Sequence, residues 1–207
     1  MLLFNKVIDA TKVWVTSDLH HNHKNICKGV SQWDDKNGCR DFESLDEMNA
    51  KIIRGMSIIP QDAILIDLGD IIFGDKNELP NLLRQIPCRE HHYILGNHDH
   101  WMIDKNGEFK EEVRKQFTSM QFYLEVFARM PSGEKHRVCF SHYPMTSWHD
   151  MNRGGIMVHG HCHQSLKHNG GKIIDVGIDK INDYKPYSLM EICKKMEKQQ
   201  IIKVDHH

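Results

Sequence analysis

Paired cysteines are missing from this chain. Its six cysteines, at positions 27, 39, 88, 139, 162 and 193, are scattered and include no CxxC. That spacing excludes a disulfide framework and a cysteine-rich zinc module, and it fits free thiols in a reducing cytosol. An excess of basic charge is missing too: 27 Lys and Arg stand against 28 Asp and Glu, for a formal net charge of -1. Non-specific binding to nucleic acid or to an anionic membrane needs a basic surplus, so both are disfavoured. No apolar run approaches membrane-spanning length, and Met1-Leu2-Leu3-Phe4 is broken at once by Asn5 and Lys6. Neither a secretory segment nor an anchor is expected, and the expected location is the cytoplasm. Internal repeats, low-complexity tracts and linkers are also absent. At 207 residues the chain reads as one domain, 1–207, with a core large enough to need no covalent staples.

What the chain has in surplus is histidine, sixteen in all. The last two, His206 and His207, are set aside as a frayed end. Many of the others follow one pattern, in which a short apolar run stops and metal-competent side chains come next. Tyr93-Ile94-Leu95 ends at Gly96-Asn97-His98-Asp99. Val13 to Ser17 runs into Asp18 and His20. Ala63 to Leu68 runs into Gly69-Asp70, Val138 to Ser141 into His142, and Ile156 to Val158 into His159, His161 and His163. Apolar runs of this length, cut off by Gly or a polar cluster, read as buried strands. Chemistry in mixed helix–strand proteins collects where strands end. Five such ends point to one site at the edge of a sheet system.

The remaining elements read as follows. Leu2 to Ile8 is a short edge strand, and Thr11 to Ser17 the first long one. In extended backbone, residues i and i+2 share a face, so Asp18 and His20 reach one ion while Leu19 turns into the core. The same parity puts His161 and His163 together, with Cys162 pointing inward, and gives His159 their face. His21 reads as a solvated loop residue. Residues 28–43 form an irregular excursion. Ser44 caps a helix, with Glu47 at the capping-box position and Leu45, Met48, Ile52 and Ile53 on its core face, running to Pro60. A short helix covers Asn77 to Gln85, and His91 and His92 open a strand as surface residues. A helix is expected over Glu111 to Phe117, and a hairpin joins Phe122–Met130 to Arg137–Ser141 across Pro131 to Glu134. The loop from Tyr143 to Gly155 lies between two clusters and overhangs the site. Lys172 to Gly177 is a late strand, and Leu189 to Met196 a terminal helix.

Asp18, His20, Asp70, Asn97, His142, His161 and His163 offer oxygen and nitrogen but no sulfur. That set suits Mn, Fe, Zn or Ni, manganese foremost, and rules out a thiolate zinc site among these seven. Seven ligands are too many for one ion and enough for two, with one carboxylate bridging. Two divalent cations bring four positive charges; two carboxylates and a bound hydroxide remove three. The site keeps a positive excess and attracts an anion, phosphate above all.

In order, Asp18-Leu19-His20, Gly69-Asp70, Gly96-Asn97-His98-Asp99, His142 and Gly160-His161-Cys162-His163 resemble the signature of the calcineurin-like metallophosphoesterase superfamily: D-x-H, G-D, G-N-H-D/E, H and G-H-x-H. The motifs span residues 18 to 163, and the compact length is similar to that of small bacterial and phage members without a cap domain. The resemblance implies an α/β fold, a four-layer α/β/β/α sandwich of two mixed sheets flanked by helices. It implies one metal on Asp18, His20, Asp70 and His163, and another on Asp70, Asn97, His142 and His161. It makes His98 the proton donor to the leaving oxygen and a bridging hydroxide the nucleophile. Some members pair that histidine with an Asp three residues after the bridging carboxylate. Here the position is Phe73, leaving Asp75, Asp67, a backbone carbonyl or nothing at all to orient His98.

The leading reading is therefore a phosphomonoesterase or phosphodiesterase acting on a small ester, with catalytic His98, Asp70 and Asn97, and with His23, Arg153 and His159 as substrate contacts. Two alternatives remain. One is a metal-stabilised binding scaffold without turnover. The other is a nuclease using the same centre, with Lys105, Lys110, Arg114, Lys115 and Arg153 along a groove. These cations are interleaved with acids and read better as a solvated face. The sequence leaves the oligomeric state open.

Overall fold

The computed structural model describes residues 4–203 apart from 169, 180 and 181. Leu2 and Leu3 of the expected first strand, and His206 and His207, lie outside the described residues. The chain builds two five-stranded mixed sheets. One contains, in spatial order, β10 (Tyr187–Ser188), β2 (Val13–Thr16), β3 (Ile64–Asp67), β4 (Glu90–Ile94) and β5 (Ser119–Gln121). Only the β10–β2 pairing is antiparallel. The other contains β1 (Lys6–Asp9), β6 (Tyr123–Arg129), β7 (Lys135–Ser141), β8 (Ile156–His159) and β9 (Ile173–Asp175). Its β6–β7 hairpin is antiparallel and the rest is parallel.

Alternation along the strands separates two cores. Val13, Val15, Ile64 and Ile66 face the second sheet and meet Val126, Val138, Phe140 and Val158. Leu65 and Tyr93 point the other way, against helices α1 (Leu45–Met56) and α2 (Leu79–Leu83) and the short α3 (Glu111–Arg114). Helix α4 (Leu189–Glu197) closes the inter-sheet core through Leu189, Ile192, Cys193 and Met196. The outer face of the second sheet is covered differently. Trp148 and Met151, from the irregular segment after β7, pack on Cys139 and Met157, with only a 3₁₀ turn at Met151–Arg153. No helix among the described residues is long and apolar enough to cross a membrane.

Helix α1 shows how local sequence carries over. Ser44 Oγ accepts from the Glu47 amide at 3.2 Å, while the Glu47 carboxylate accepts from Glu43 N, one residue before the cap. Met48, Ile52 and Met56 form the buried stripe. Some assignments need correction, and the helix read over Asn77 to Gln85 spans only Leu79–Leu83 after a 3₁₀ turn at Lys76–Glu78. The helix read over Glu111 to Phe117 stops at Arg114, and β1 begins only at Lys6. His91 and His92 are not surface residues: both are buried. His91 Nε2 meets Asp67 Oδ2 at 3.3 Å, and His92 Nδ1 meets Ser119 Oγ at 2.7 Å on the neighbouring strand. Burying an imidazole is tolerable once a ring nitrogen finds such a partner.

Strands β2, β3 and β4 share one direction, as do β7 and β8, and a parallel bridge between Ser17 and Gly177 joins the sheets where they end. The five motif segments therefore leave the fold at one place.

Candidate metal centre

The ligand-bearing loops are not extended. Asp18, His20, Asp70, His161 and His163 have φ of 57°, 51°, 58°, 68° and 47°, all left-handed. Strand parity therefore does not bring Asp18 to His20, or His161 to His163; single left-handed turns do. Each such turn costs a non-glycine residue on the order of 1–3 kcal/mol, and such strain collects at functional sites. Leu19 is buried as expected, but Cys162 is half-exposed rather than in the core.

Backbone bonds weld these loops together. Asp18 N donates to Gly69 O and His20 N to Asp70 O, both at 2.9 Å. Asp18 Oδ2 accepts from His161 N at 2.9 Å, and Asp70 Oδ1 from His98 N at 2.8 Å. Buried Asp99 accepts on Oδ2 from Asp70 N and Gly96 N at 2.8 Å and from Tyr93 Oη at 2.7 Å. It thus ties the Gly-Asp loop to the Gly-Asn-His-Asp loop. Close approach needs glycine here: a Cβ on Gly96 would collide with Asp70 Oδ1, and its nitrogen, 2.7 Å away, would be crowded too. We expect Gly96→Ala to cost about 1–3 kcal/mol of stability and to lower metal affinity with it. Thermal unfolding with and without manganese reads both effects.

Within this frame the structure brings all seven expected ligands together. Asp70 Oδ2 lies between two imidazoles, facing His20 Nε2 at 3.9 Å and His142 Nε2 at 3.5 Å. Asp18 Oδ1 faces His20 Nε2 at 3.7 Å and His163 Nε2 at 3.9 Å. Asn97 Oδ1 lies 2.8 Å from His142 Nε2 and 2.7 Å from His161 Nδ1.

The donor chemistry fits cations. His142 Nδ1 donates to the Leu68 carbonyl at 2.7 Å, so its Nε2 presents a lone pair to Asn97 and Asp70. Turning the Asn97 amide over would relieve one of these contacts but not the carboxylate. Asp18 Oδ1 and His20 Nε2 are buried with no hydrogen-bond partner, an arrangement costly enough to require an explanation. Burial, then the nearby Asp99, pushes Asp70 up to about 8, and burial lowers His20 to about 3. The first shift describes a carboxylate short of a counter-charge, and the second keeps the imidazole neutral with a lone pair to offer.

Sequence reading missed the supports of this site. Arg40, from the irregular 28–43 excursion, is 4% exposed. Its guanidinium donates to the Asp18 and Leu19 carbonyls at 2.7 Å and to Asp179 Oδ1 at 2.9 Å. Asp179 Oδ2 accepts from His163 Nδ1 at 2.8 Å. Burial opposes the charged ring, but the Asp179 bond prevails and raises His163 above its ordinary value. Only the coincidence of an Arg in a polar excursion and an Asp after a late strand could have hinted at this pair.

His98 is exposed at the rim, with its ring 5.7 Å from that of His20. Neither Asp75 nor Asp67 orients it: Asp75 caps the turn at Asn77, and Asp67 bonds Gly69 N and His91. Instead Phe73 lies 4.8 Å from its ring, centroid to centroid. His23 is also at the rim, stacked on Phe73 at 3.8 Å and 2°.

Two expected substrate contacts are not brought there. Arg153 is 76% exposed and pairs with Asp150, which pairs with Arg137. Arg137 precedes His142 by five residues of strand, about 17 Å. The segment after Tyr143 packs on the outer sheet face, while the Tyr143 ring itself meets those of His142 and His161. His159 is fully buried and turned to the Gly160 carbonyl and His168. Nor do the basic residues form a free stripe: Arg114 and Lys115 pair with Glu111, and Lys110 donates to the Trp101 carbonyl.

The family model for calcineurin-like phosphoesterases matches residues 11–207. Among curated proteins, an uncharacterised protein of Methanocaldococcus jannaschii is 28% identical over 93% of this chain and 95% of its own. The gene 66 protein of Mycobacterium phage L5 is 27% identical over 82% and 87%. Among solved structures, a protein of unknown function from Aquifex aeolicus aligns with TM-score 0.58 at 22% identity, covering 88% of this chain and 98% of that one. That last likeness concerns the fold alone.

Proposed function

The chain belongs to the calcineurin-like phosphoesterase family, and from that premise we propose that it hydrolyses a small phosphate ester through a pair of divalent cations, manganese foremost. The observation that carries the reading is the convergence of two carboxylates, an amide oxygen and four imidazoles on one rim, with Asp70 Oδ2 between His20 and His142. Asp18, His20 and His163 would hold one cation, Asn97, His142 and His161 the other, and Asp70 both. When bound, such a pair supplies Lewis acidity to phosphoryl oxygens and lowers the pKa of a bound water toward neutrality.

The protein's own groups do the rest. Arg40 and Asp179 hold the first ligand loop and the His163 ring in place. Asp99 fixes the Asp70 and Asn97 loops at one spacing. His98, exposed at the rim near His20, would donate a proton to the leaving oxygen. A cavity of about 450 Å³ beside His163, lined by Lys28, Lys36, Arg40 and Tyr184, gives room for the body of a small ester.

The test is hydrolysis of p-nitrophenyl phosphate and its bis-ester with added manganese, abolished by chelation. No turnover of either with manganese, iron, zinc or nickel would sink the proposal. His98→Ala should lower kcat on the order of 10²–10⁴-fold for an alkyl phosphate, whose leaving oxygen needs a proton. The loss should be much smaller for a nitrophenyl ester, whose leaving group departs as the anion. Equal losses on both would remove His98 from leaving-group protonation.

A further inference from the structure

Behind the turn that carries His161 and His163 lies a second cluster. A ring nitrogen of His159, the Cys162 sulfur and an Asp175 carboxylate oxygen all lie within 4.8 Å of one another. The topology puts them there. His159 ends β8, Asp175 is its register partner at the end of β9, and Cys162 returns through a turn in which its amide donates to Gly160 O at 2.8 Å.

Three details point to a ligand. First, buried His159 donates from Nδ1 to the Gly160 carbonyl at 2.8 Å, which leaves Nε2 as the ring's lone pair. A metal-binding imidazole is characteristically fixed by a backbone carbonyl in this way. Second, His168 Nε2 stands 2.8 Å from that same Nε2, a hydrogen bond that places a second imidazole at the edge of the cluster. Third, Asp175 is locked in place: Oδ1 accepts from Gly177 N at 2.8 Å and Oδ2 from Gln164 N at 2.9 Å, each oxygen retaining a lone pair.

We propose that His159, Cys162 and Asp175, with His168 at the edge of the cluster, form a zinc site separate from the two-cation centre. A set of an imidazole, a thiolate and a carboxylate matches the nitrogen, sulfur and oxygen ligands that zinc takes, and its sulfur selects against manganese. On binding, the Cys162 thiol loses its proton to solvent and the thiolate donates to zinc; no redox change is involved. The site's effect is mechanical. Cys162 lies between His161 and His163, and His161, His163 and Gln164 all hold left-handed backbone. A cation gripping Cys162 from behind would brace that turn.

The experiment uses cobalt in place of zinc. The seven residues of the larger centre contain no sulfur, so a thiolate-to-cobalt charge-transfer band in the near ultraviolet comes from a cysteine outside it, and its loss in a Cys162 variant assigns it to this cluster. The full-length protein should show the band, zinc should displace it, Asp70→Asn should keep it and Cys162→Ser should lose it. Zinc content should fall by one equivalent per chain in Cys162→Ser and in His159→Gln. Cys162 is half-exposed, so the serine variant should melt with the wild type once both are stripped of metal. Absence of the band, its persistence in Cys162→Ser, or unchanged zinc content in that variant would overturn the proposal. The phosphoesterase reading would stand or fall separately, on turnover with manganese.

Discussion

Asp70→Asn should reduce phosphate-ester hydrolysis by on the order of 10³-fold or more while making the metal-free protein more stable. Both effects come from one carboxylate. Asp70 is buried beside Asp99 and Asp18, and its pKa rises from 3.8 to about 8. Between those values the folded, metal-free chain keeps a proton that the unfolded chain has released. The unfolded state then binds fewer protons, so stability falls as pH rises from about 4 to about 8. Asparagine preserves the shape and the bond from His98 N, yet carries no charge to bury. In chelator at pH 8 the variant should melt above the wild type, and the difference should shrink toward pH 4. Manganese should then raise the wild-type melting temperature and leave the variant nearly unmoved. Wild-type turnover in the variant, or a metal-free wild type that gains on it as pH rises, would contradict the bridging role.

Arg40→Met should destabilise the protein by about 3–5 kcal/mol, because it strips one buried ion from its partners. The Asp18 and Leu19 carbonyls lose their donor, and Asp179 is left charged with only His163 against it. The same change should weaken manganese binding roughly 10–100-fold, the usual cost of losing a group that positions a ligand. Urea denaturation and a metal titration separate the two effects. Arg40→Lys should rescue little, since a single ammonium cannot reach two carbonyls and a carboxylate set in a fork. Full recovery by lysine would show that charge alone is needed.

What could be read beforehand, and what could not, divides along one physical line. The strand ends were legible because a buried parallel strand must be apolar and must stop at a residue that permits a turn, as at Gly69 and Gly96. Helix α1 was legible because its cap and its 3.6-residue period are local. The arrangement of Asp18-Leu19-His20 was not, because left-handed backbone at an ordinary residue is disfavoured by its own sterics and persists only where neighbours impose it. Burial of His91 and His92 escaped for a related reason: their partners, Asp67 and Ser119, lie 24 and 27 residues away. Arg40 and Asp179, 139 residues apart, left no mark that a linear reading could join. Arg153 was assigned to the substrate by its place in a loop between two clusters and His159 by strand parity, but a loop that folds onto the outer sheet face and a ring turned toward Gly160 place them elsewhere.

The welding of Asp18 to His161, 143 residues apart, governs how the molecule is born. A ribosome that has delivered the chain as far as His142 has produced Asp18, His20, Asp70 and Asn97 as well, but not His161, whose amide anchors Asp18 from the far side. Competence to trap a cation should arrive abruptly and late, once β8, β9 and Asp179 emerge. Early, promiscuous metal capture by the half-made chain is thereby discouraged, and refolding in vitro should show metal uptake lagging behind the recovery of secondary structure.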